Sequence, residues 1–379
     1  MTTSSRSADV LVIGAGIAGA SVAAELAPRR RVALLEMEDH PGYHTTGRSA
    51  AVFAEAYGNE VVRALTRASR AFLASPPPAF SEHPLLLPRG WMFLAREDQL
   101  SVLEQLGAEI ATAGGALHAL TPAEAAARVP VLRREYLAAA LWDASAMDID
   151  VHALHQGYLR RLRAAGGELV TAARVRALEH SGEGWRVETE QGAFRAPLVV
   201  DAAGAWADEV GQLAGAARIG LVPMRRTAVL LDPPRGMDIA RWPLVIDAEE
   251  QFYFKPESGK ILASPADETP SPPCDARPDD LDVAIAVDRI THACDLDVHH
   301  VARKWAGLRS FVPDRTPVAG FDPRAPGFFW LAGQGGAGIQ TAPALARLAA
   351  AVALGEPVPA DIEDAGVDAR RLSPSRGGA

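Results

Sequence analysis

The sequence predicts an α/β protein, on three observations. Short continuous apolar runs at Val10–Ile13, Val32–Leu35, Leu198–Asp201 and Phe328–Ala332 suit strands buried on both faces of a sheet. Two of these runs end in glycine clusters, Gly14-Ala15-Gly16-Ile17-Ala18-Gly19 and Gly333-Gln334-Gly335-Gly336-Ala337-Gly338. Amphipathic segments with helical spacing fill much of the chain between the runs.

The N-terminal unit is the most specific. A strand at 10–13 leads through a GxGxxG into a helix at 21–26, and a second strand at 32–35 ends on Glu36. That acid lies 17 positions after Gly19 (36 − 19). Gly14 makes the tight turn, Gly16 lets a pyrophosphate approach the backbone, and Gly19 lets helix and strand pack closely. The helix N-terminus faces the phosphates and Glu36 accepts from ribose hydroxyls, so the unit reads as dinucleotide-binding.

Residues 37–51 form a polar, glycine-bearing loop where a nicotinamide-binding unit would continue into another helix. The loop runs into a small-residue helix start and offers backbone N–H groups, hydroxyls and Arg48 to phosphates or a flavin ring. Residues 59–73 are an amphipathic helix stopped by Ser75-Pro76-Pro77-Pro78. Residues 85–94 read as strand and turn, and Leu100, Leu103, Leu106 and Ile110 mark a helix. Thr121-Pro122-Ala123-Glu124 is a capping box with Pro at the first helical position. Residues 148–163 read as a helix whose first turn is acidic; Asp148, Asp150, His152 and His155 lack a firm metal-ligand spacing. Residues 168–178, 185–189, 222–231 and 251–254 read as strands, 269–280 as a Pro- and Asp-rich loop, and 301–312 as a segment holding Trp305-Ala306-Gly307-Leu308-Arg309. The second glycine cluster opens a helix from Thr341, and 373–379 reads as a disordered tail.

Composition sets limits. At 379 residues the chain can bury a large core and form about two domains. A net charge of −9 gives no broad footprint for nucleic acid or anionic lipid. Two cysteines, Cys274 and Cys294, make no CxxC and no disulfide framework. No apolar leader stands at 1–9 and no stretch is long enough to span a bilayer, so the expected compartment is the cytoplasm.

The blocks VIGAGIAGAS (12–21) with Glu36, PGYHTTGRSAA (41–51), VVDAAGAW (199–206), WAGLRSFVPDRTPVAG (305–320) and GQGGAGIQT (333–341) together resemble the flavin-dependent D-amino acid oxidase superfamily. Within it, the 41–51 loop, Ala56-Tyr57-Gly58, RALTRASRAF (63–72), EHPLL (82–86), VPVLRR (129–134), ALHQGYLR (153–160) and GLRSFV (307–312) resemble the bacterial D-arginine dehydrogenase branch. The resemblance implies a FAD-binding Rossmann-like domain of glutathione-reductase type, drawn from 1–80, 145–220 and 315–379. A substrate domain with a mixed, largely antiparallel sheet, from 81–144 and 221–314, covers the flavin. FAD is expected to be non-covalent. Its implied contacts are Gly14, Gly16, Ala18, Gly19, Glu36 and Met37, then Thr45, Thr46, Gly47, Arg48, Ser49, Ala50 and Ala51. To these it adds Val175, Ala203, Gly204 and Trp206, and finally Gly335, Gly336, Gly338, Ile339 and Gln340.

The implied activity is oxidation of D-amino acids to imino acids by hydride transfer from Cα to the flavin, with a quinone or another acceptor taking the electrons. The alternatives within the family are a dehydrogenase of D-arginine or other basic D-amino acids, an oxidase of D-amino acids, and an enzyme for a secondary amine such as sarcosine or proline. Outside it stand a NAD-dependent dehydrogenase, which the 41–51 loop opposes, and a flavoprotein without turnover. An α-amino acid must have its carboxylate fixed, and a buried Arg does this with charged hydrogen bonds of roughly 1.5–3 kcal/mol each. Arg309 and Arg226 are the candidates, Tyr253 adds an O–H, and Tyr57 resembles the family's lid tyrosine. The substrate pocket is expected to include Trp91, Val52, Phe53, Ala54, Gly336 and Gln340. Trp91 stands where the D-arginine branch has a glutamate, and Val52, Phe53 and Ala54 make the lid apolar. A neutral or hydrophobic side chain is therefore expected over a guanidinium, whose unpaired burial is costly.

Overall fold

A computed structural model describes residues 5–112 and 115–376. Its first layer is a six-stranded sheet in the order Glu168–Val170, Val32–Leu35, Val10–Ile13, Leu198–Asp201, Phe328–Ala332, Val318–Phe321. The first five strands are parallel and the last is antiparallel. Alternation divides their side chains between two cores. Val10, Val12, Val32 and Leu34 pack with the helices Ile17–Leu26, Glu60–Ala74, Val151–Ala164 and Gly338–Leu354. Leu11, Ile13, Ala33 and Leu35 pack with Trp185, Val187 and Phe194 of a four-stranded sheet, Arg6–Ser7, Gly192–Ala196, Gly184–Thr189 and Val175–Ser181. Both faces are covered, which is why these strands read as unbroken apolar runs.

A nine-stranded sheet forms the second layer. Its spine is Val222–Leu231, whose residues 222–230 pair with the whole of Arg303–Phe311. One contact in it, Leu244–Asp247 with Trp91–Ala95, is parallel and the others are antiparallel, as expected for the second domain. The helix Asp280–Ala293 covers its outer face around Val229, Ile261 and Ala263.

Several boundaries differ from expectation. The 168–178 strand is two strands in two sheets. The chain leaves the parallel sheet at Val170, where Ala172 takes a left-handed φ of 50° and donates to the Glu38 carbonyl. Asp148 is not a helix acid: it sits in the Met147–Ile149 strand, ion-paired with Arg89 at 2.6 Å and Lys255 at 3.0 Å, and Asp150 caps the helix by accepting from Ala153 N. Residues 49–51 are extended, leading into the Val52–Phe53 strand that pairs with Met147–Ile149. The aromatic strand runs Tyr253–Glu257, and the C-terminal helix begins at Gly338, which packs closely on Gln334. Ser373 to Arg376 are not a loose tail, because Arg376 pairs with Asp314 at 2.8 Å; 377–379 lie outside the described residues. Among the described residues, no helix is long and apolar enough to cross a membrane.

Candidate active site

Two clefts meet between the layers, sharing Ile17, Thr45, Thr46, Gly335 and Gly338. The strand Arg303–Phe311 lies between them. Leu308 and Ser310 line one cleft, and Gly307 and Arg309 line the other, as strand alternation requires.

The first cleft is made largely of backbone and small side chains. Gly14 has φ 95°, and a Cβ there would stand 2.5 Å from the Ala202 carbonyl oxygen. Gly19 does not line the cleft; a Cβ on it would lie 1.7 Å from the Gly14 oxygen, so it serves helix packing. Gly16 precedes the Ile17–Leu26 helix with no side-chain cap, and no acid occupies the first turn. Ile17 N donates to the Thr46 hydroxyl at 2.9 Å, and the rest of that helix end is open to an anion. Ala15 N donates to Glu36 at 2.8 Å and Glu38 N at 3.0 Å, one to each carboxylate oxygen. Burial pushes the Glu36 pKa up, against those two donors. Met37, Ala18, Val175, Ala203, Gly204 and Trp206 complete the expected lining. Ser310 Oγ and His44 Nδ1 are buried here without partners. Asp201, just beneath, accepts from Ala203 N through Oδ1; its Oδ2 has no partner, and burial pushes its pKa well up.

The arrangement fits FAD. Glycine turns, an uncapped helix end, an acid at the second strand's tip and two orphaned polar atoms are what a dinucleotide would engage. Gly14, Gly16, Glu36, Thr46 and the 203–206 turn would hold it, with the start of the Gly338–Leu354 helix at the shared end. Neither cysteine lines either cleft.

The second cleft is made of side chains from distant segments. Val52, Ala54, Tyr57, Trp91, Arg226, Tyr253, Arg309, Gly336 and Gln340 line it, together with Ser49, Ala50, Ala51 and Ile339, which the resemblance assigned to the flavin. Arg309 has no hydrogen-bond or ion-pair partner among the described residues. Burial disfavours its charge, yet Tyr57, Tyr253, Glu268 and Glu250 around it hold its pKa above the ordinary value. A Cβ on Gly336 would lie 2.3 Å from the Tyr57 hydroxyl and 3.1 Å from Arg309 Nη1, so the three converge. Burial raises the Tyr253 phenol, but Arg309 and Arg226 bring it below its usual pKa. A phenol made more acidic is a better donor to a carboxylate.

Four expectations change. Phe53 is not in the pocket: its neighbours Val52 and Ala54 line the cleft, while Phe53 points the other way, fully buried in the helical core beneath Arg70. Gly47 lines neither cleft; its N–H closes a turn onto the Gly42 oxygen at 2.8 Å. Arg48 lines the second cleft but spends its donors on Ala276 O, Ala306 O and Asp275, tying the loop to the partition strand. Arg226 is also partly committed, to Asp267 O at 2.8 Å and Glu268 at 3.1 Å.

Sequence reasoning missed Leu244, Ile246 and Ala228 in the second cleft. Leu244-Val245-Ile246-Asp247 is a short apolar run between turns, which was signal enough for a strand. Glu250 also lines this cleft, in a left-handed turn at φ 55°, so the cleft holds one carboxylate at its rim.

Comparison with known proteins gives one family: the description DAO, FAD dependent oxidoreductase, matches residues 9–352. The chain is 27% identical to glycine oxidase of Geobacillus kaustophilus, over 90% of this chain and 92% of that protein. It is 25% identical to human mitochondrial sarcosine dehydrogenase, over 88% of this chain but 38% of that longer protein. The crystal structure of the Geobacillus glycine oxidase superposes with a TM-score of 0.86 at 24% identity, covering 99% and 100% of the two chains. An L-proline dehydrogenase structure from P. horikoshii gives 0.82 at 22%, covering 98% of each.

Proposed function

The chain belongs to the DAO family of FAD-dependent oxidoreductases, and from that premise we propose that it oxidises D-amino acids with uncharged side chains. The product is an imino acid, which water converts to a 2-oxo acid and ammonia. FAD, when bound, supplies the two-electron acceptor. A FAD domain drawn from 1–80, 145–220 and 315–379 is capped by a substrate domain from 81–144 and 221–314. The two free cysteines suit a cytoplasmic enzyme. Electrons pass on to a quinone or another acceptor.

The observation that carries the reading is the Arg309 guanidinium, without a partner among the described residues, converging with Tyr57 on Gly336, beside Tyr253. Arg309 pairs with the α-carboxylate, and Tyr253 and Tyr57 add O–H donors, which orients Cα–H toward the end shared by both clefts. Tyr57, next to Gly58 at φ 83°, closes the cleft against water. The amine enters neutral, so no further base is needed. Trp91, Val52, Ala54, Leu244 and Ile246 give the side chain apolar walls. The sequence blocks shared with the D-arginine dehydrogenase branch support the D hand, while Trp91 opposes a guanidinium. The glycine oxidase and sarcosine dehydrogenase relatives favour a second reading, oxidation of a small primary or secondary amine.

The test is anaerobic bleaching of the flavin by D- and L-amino acids, glycine, sarcosine and proline. D-amino acids should bleach fastest, with D-Met or D-Leu ahead of D-Arg; a tenfold preference for D-Arg, or for sarcosine, refutes the reading. Acid precipitation should leave the FAD in the supernatant, and flavin in the pellet refutes non-covalent binding.

A further inference from the structure

We propose that the substrate's side chain ends in an oxygen acceptor, a carboxamide or hydroxyl oxygen, held by the indole N–H of Trp91 with the side-chain amide of Gln340 as second donor. The inference rests on the amino acid reading above and specifies its side-chain subsite. Trp91 is 6% exposed and Gln340 3%, and both line the second cleft. Trp91 Nε1 and Gln340 Nε2 have no acceptor among the described residues.

The orientation of Gln340 is fixed by chemistry. Its Oε1 accepts from the Ala54 backbone N–H at 3.0 Å, and a backbone N–H can only donate. The other end of the amide is therefore the NH2, and it is the end left without a partner. Ala54 itself lines the cleft and shares an apolar cluster with Trp91. Two residues that line one cleft thus each carry a buried donor with no acceptor among the described residues. Buried donors are almost always paired, and leaving one unpaired costs more than the bond would have contributed. A ligand that brings an acceptor removes that cost; an aliphatic side chain seals it in.

Among the described residues, no group of the cleft accepts from either donor. Arg226 is committed to Glu268 and Asp267, and Arg309 is reserved for the α-carboxylate. Glu250 is an acceptor, but it is exposed and accounts for neither buried donor. The Trp91 ring is stacked on Phe93 at 4.6 Å and lies 6.4 Å from Tyr57 between centroids, so the indole is held in place. The apolar walls accept the methylene stem of a substrate, and the indole meets its tip.

The experiment compares near-isosteric pairs with the FAD-loaded enzyme: D-Asn against D-Leu and D-Gln against D-Met, by anaerobic stopped-flow bleaching. The acceptor-bearing member should show a kcat/KM about tenfold higher or more. In Trp91→Phe, which keeps the ring and removes the N–H, each ratio should fall toward one. Ratios of one or below in the wild type overturn the inference, whether or not the variant folds, and leave the amino acid reading standing. Ratios that persist in Trp91→Phe overturn the assignment to the indole. Failure of every amino acid to bleach the flavin overturns both.

Discussion

The two clefts on either side of the Arg303–Phe311 strand are built in opposite ways. The nucleotide side uses what lacks side chains: Gly14 and Gly16, the uncapped end of the Ile17–Leu26 helix and the 202–204 turn. The substrate side uses side chains sent in from three or more distant segments, including Tyr57, Trp91, Tyr253 and Arg309. On the proposed function, cofactor recognition rests mainly on backbone shape and substrate recognition mainly on side-chain identity. Substitutions should therefore fail on the first side by steric exclusion and on the second by lost interaction.

The strongest break falls on the backbone side. Gly19→Ala would place a methyl 1.7 Å from the Gly14 oxygen, against backbone that cannot yield cheaply. Soluble protein should carry little or no flavin, read as the ratio of flavin to protein absorbance. Near-normal FAD would show that side-chain contacts rather than backbone packing hold the cofactor.

Arg309→Met tests the other side. Losing a buried charge partner should raise KM by about 10²-fold or more, while FAD content stays close to wild type. Loss of flavin together with KM would mean that the strand's two faces are not functionally separate.

The smallest effect concerns Asp201, beneath the nucleotide cleft. Its folded pKa is raised by burial, so the folded state holds the proton more tightly than the unfolded chain does. Stability is then greatest below the ordinary pKa of 3.8 and declines as pH rises from there toward the folded value. Asp201→Asn keeps the acceptor for Ala203 N and cannot ionise. It should raise Tm by about 2 °C at pH 8 and leave it unchanged near pH 3. A lower Tm at pH 8 would mean that the carboxylate form is the one the fold needs.

What the sequence disclosed follows the same division. The nucleotide side was legible because it is local: glycine spacing, two apolar strands and Glu36 fall within one short stretch. The mixed, largely antiparallel sheet came from resemblance rather than periodicity, and five of its strands, His118–Leu120, Ala139–Asp143, Leu244–Asp247, Lys260–Ser264 and Thr269–Pro270, escaped notice. Phe53 was assigned to the pocket because Val52-Phe53-Ala54 is uniformly apolar, so the sequence carries no alternation to say which face is which. Asp148 was read as a helix acid because the strand Met147–Ile149 is short and its partners, Val52–Phe53 and Leu86–Pro88, are remote in sequence. The commitment of Arg226 to Glu268 depends on the fold of the 265–268 turn, which no motif marks.

The Arg303–Phe311 strand has one more consequence. Because Gly307 and Arg309 line the second cleft and Leu308 and Ser310 the first, inserting or deleting a single residue before Gly307 would exchange the two sets at once. Arg309 would turn toward the nucleotide and Leu308 toward the amino acid. Such a chain can change its diet by substitution, one face at a time, but its length between Arg303 and Phe311 is locked, since any frame change there damages both halves of the reaction together.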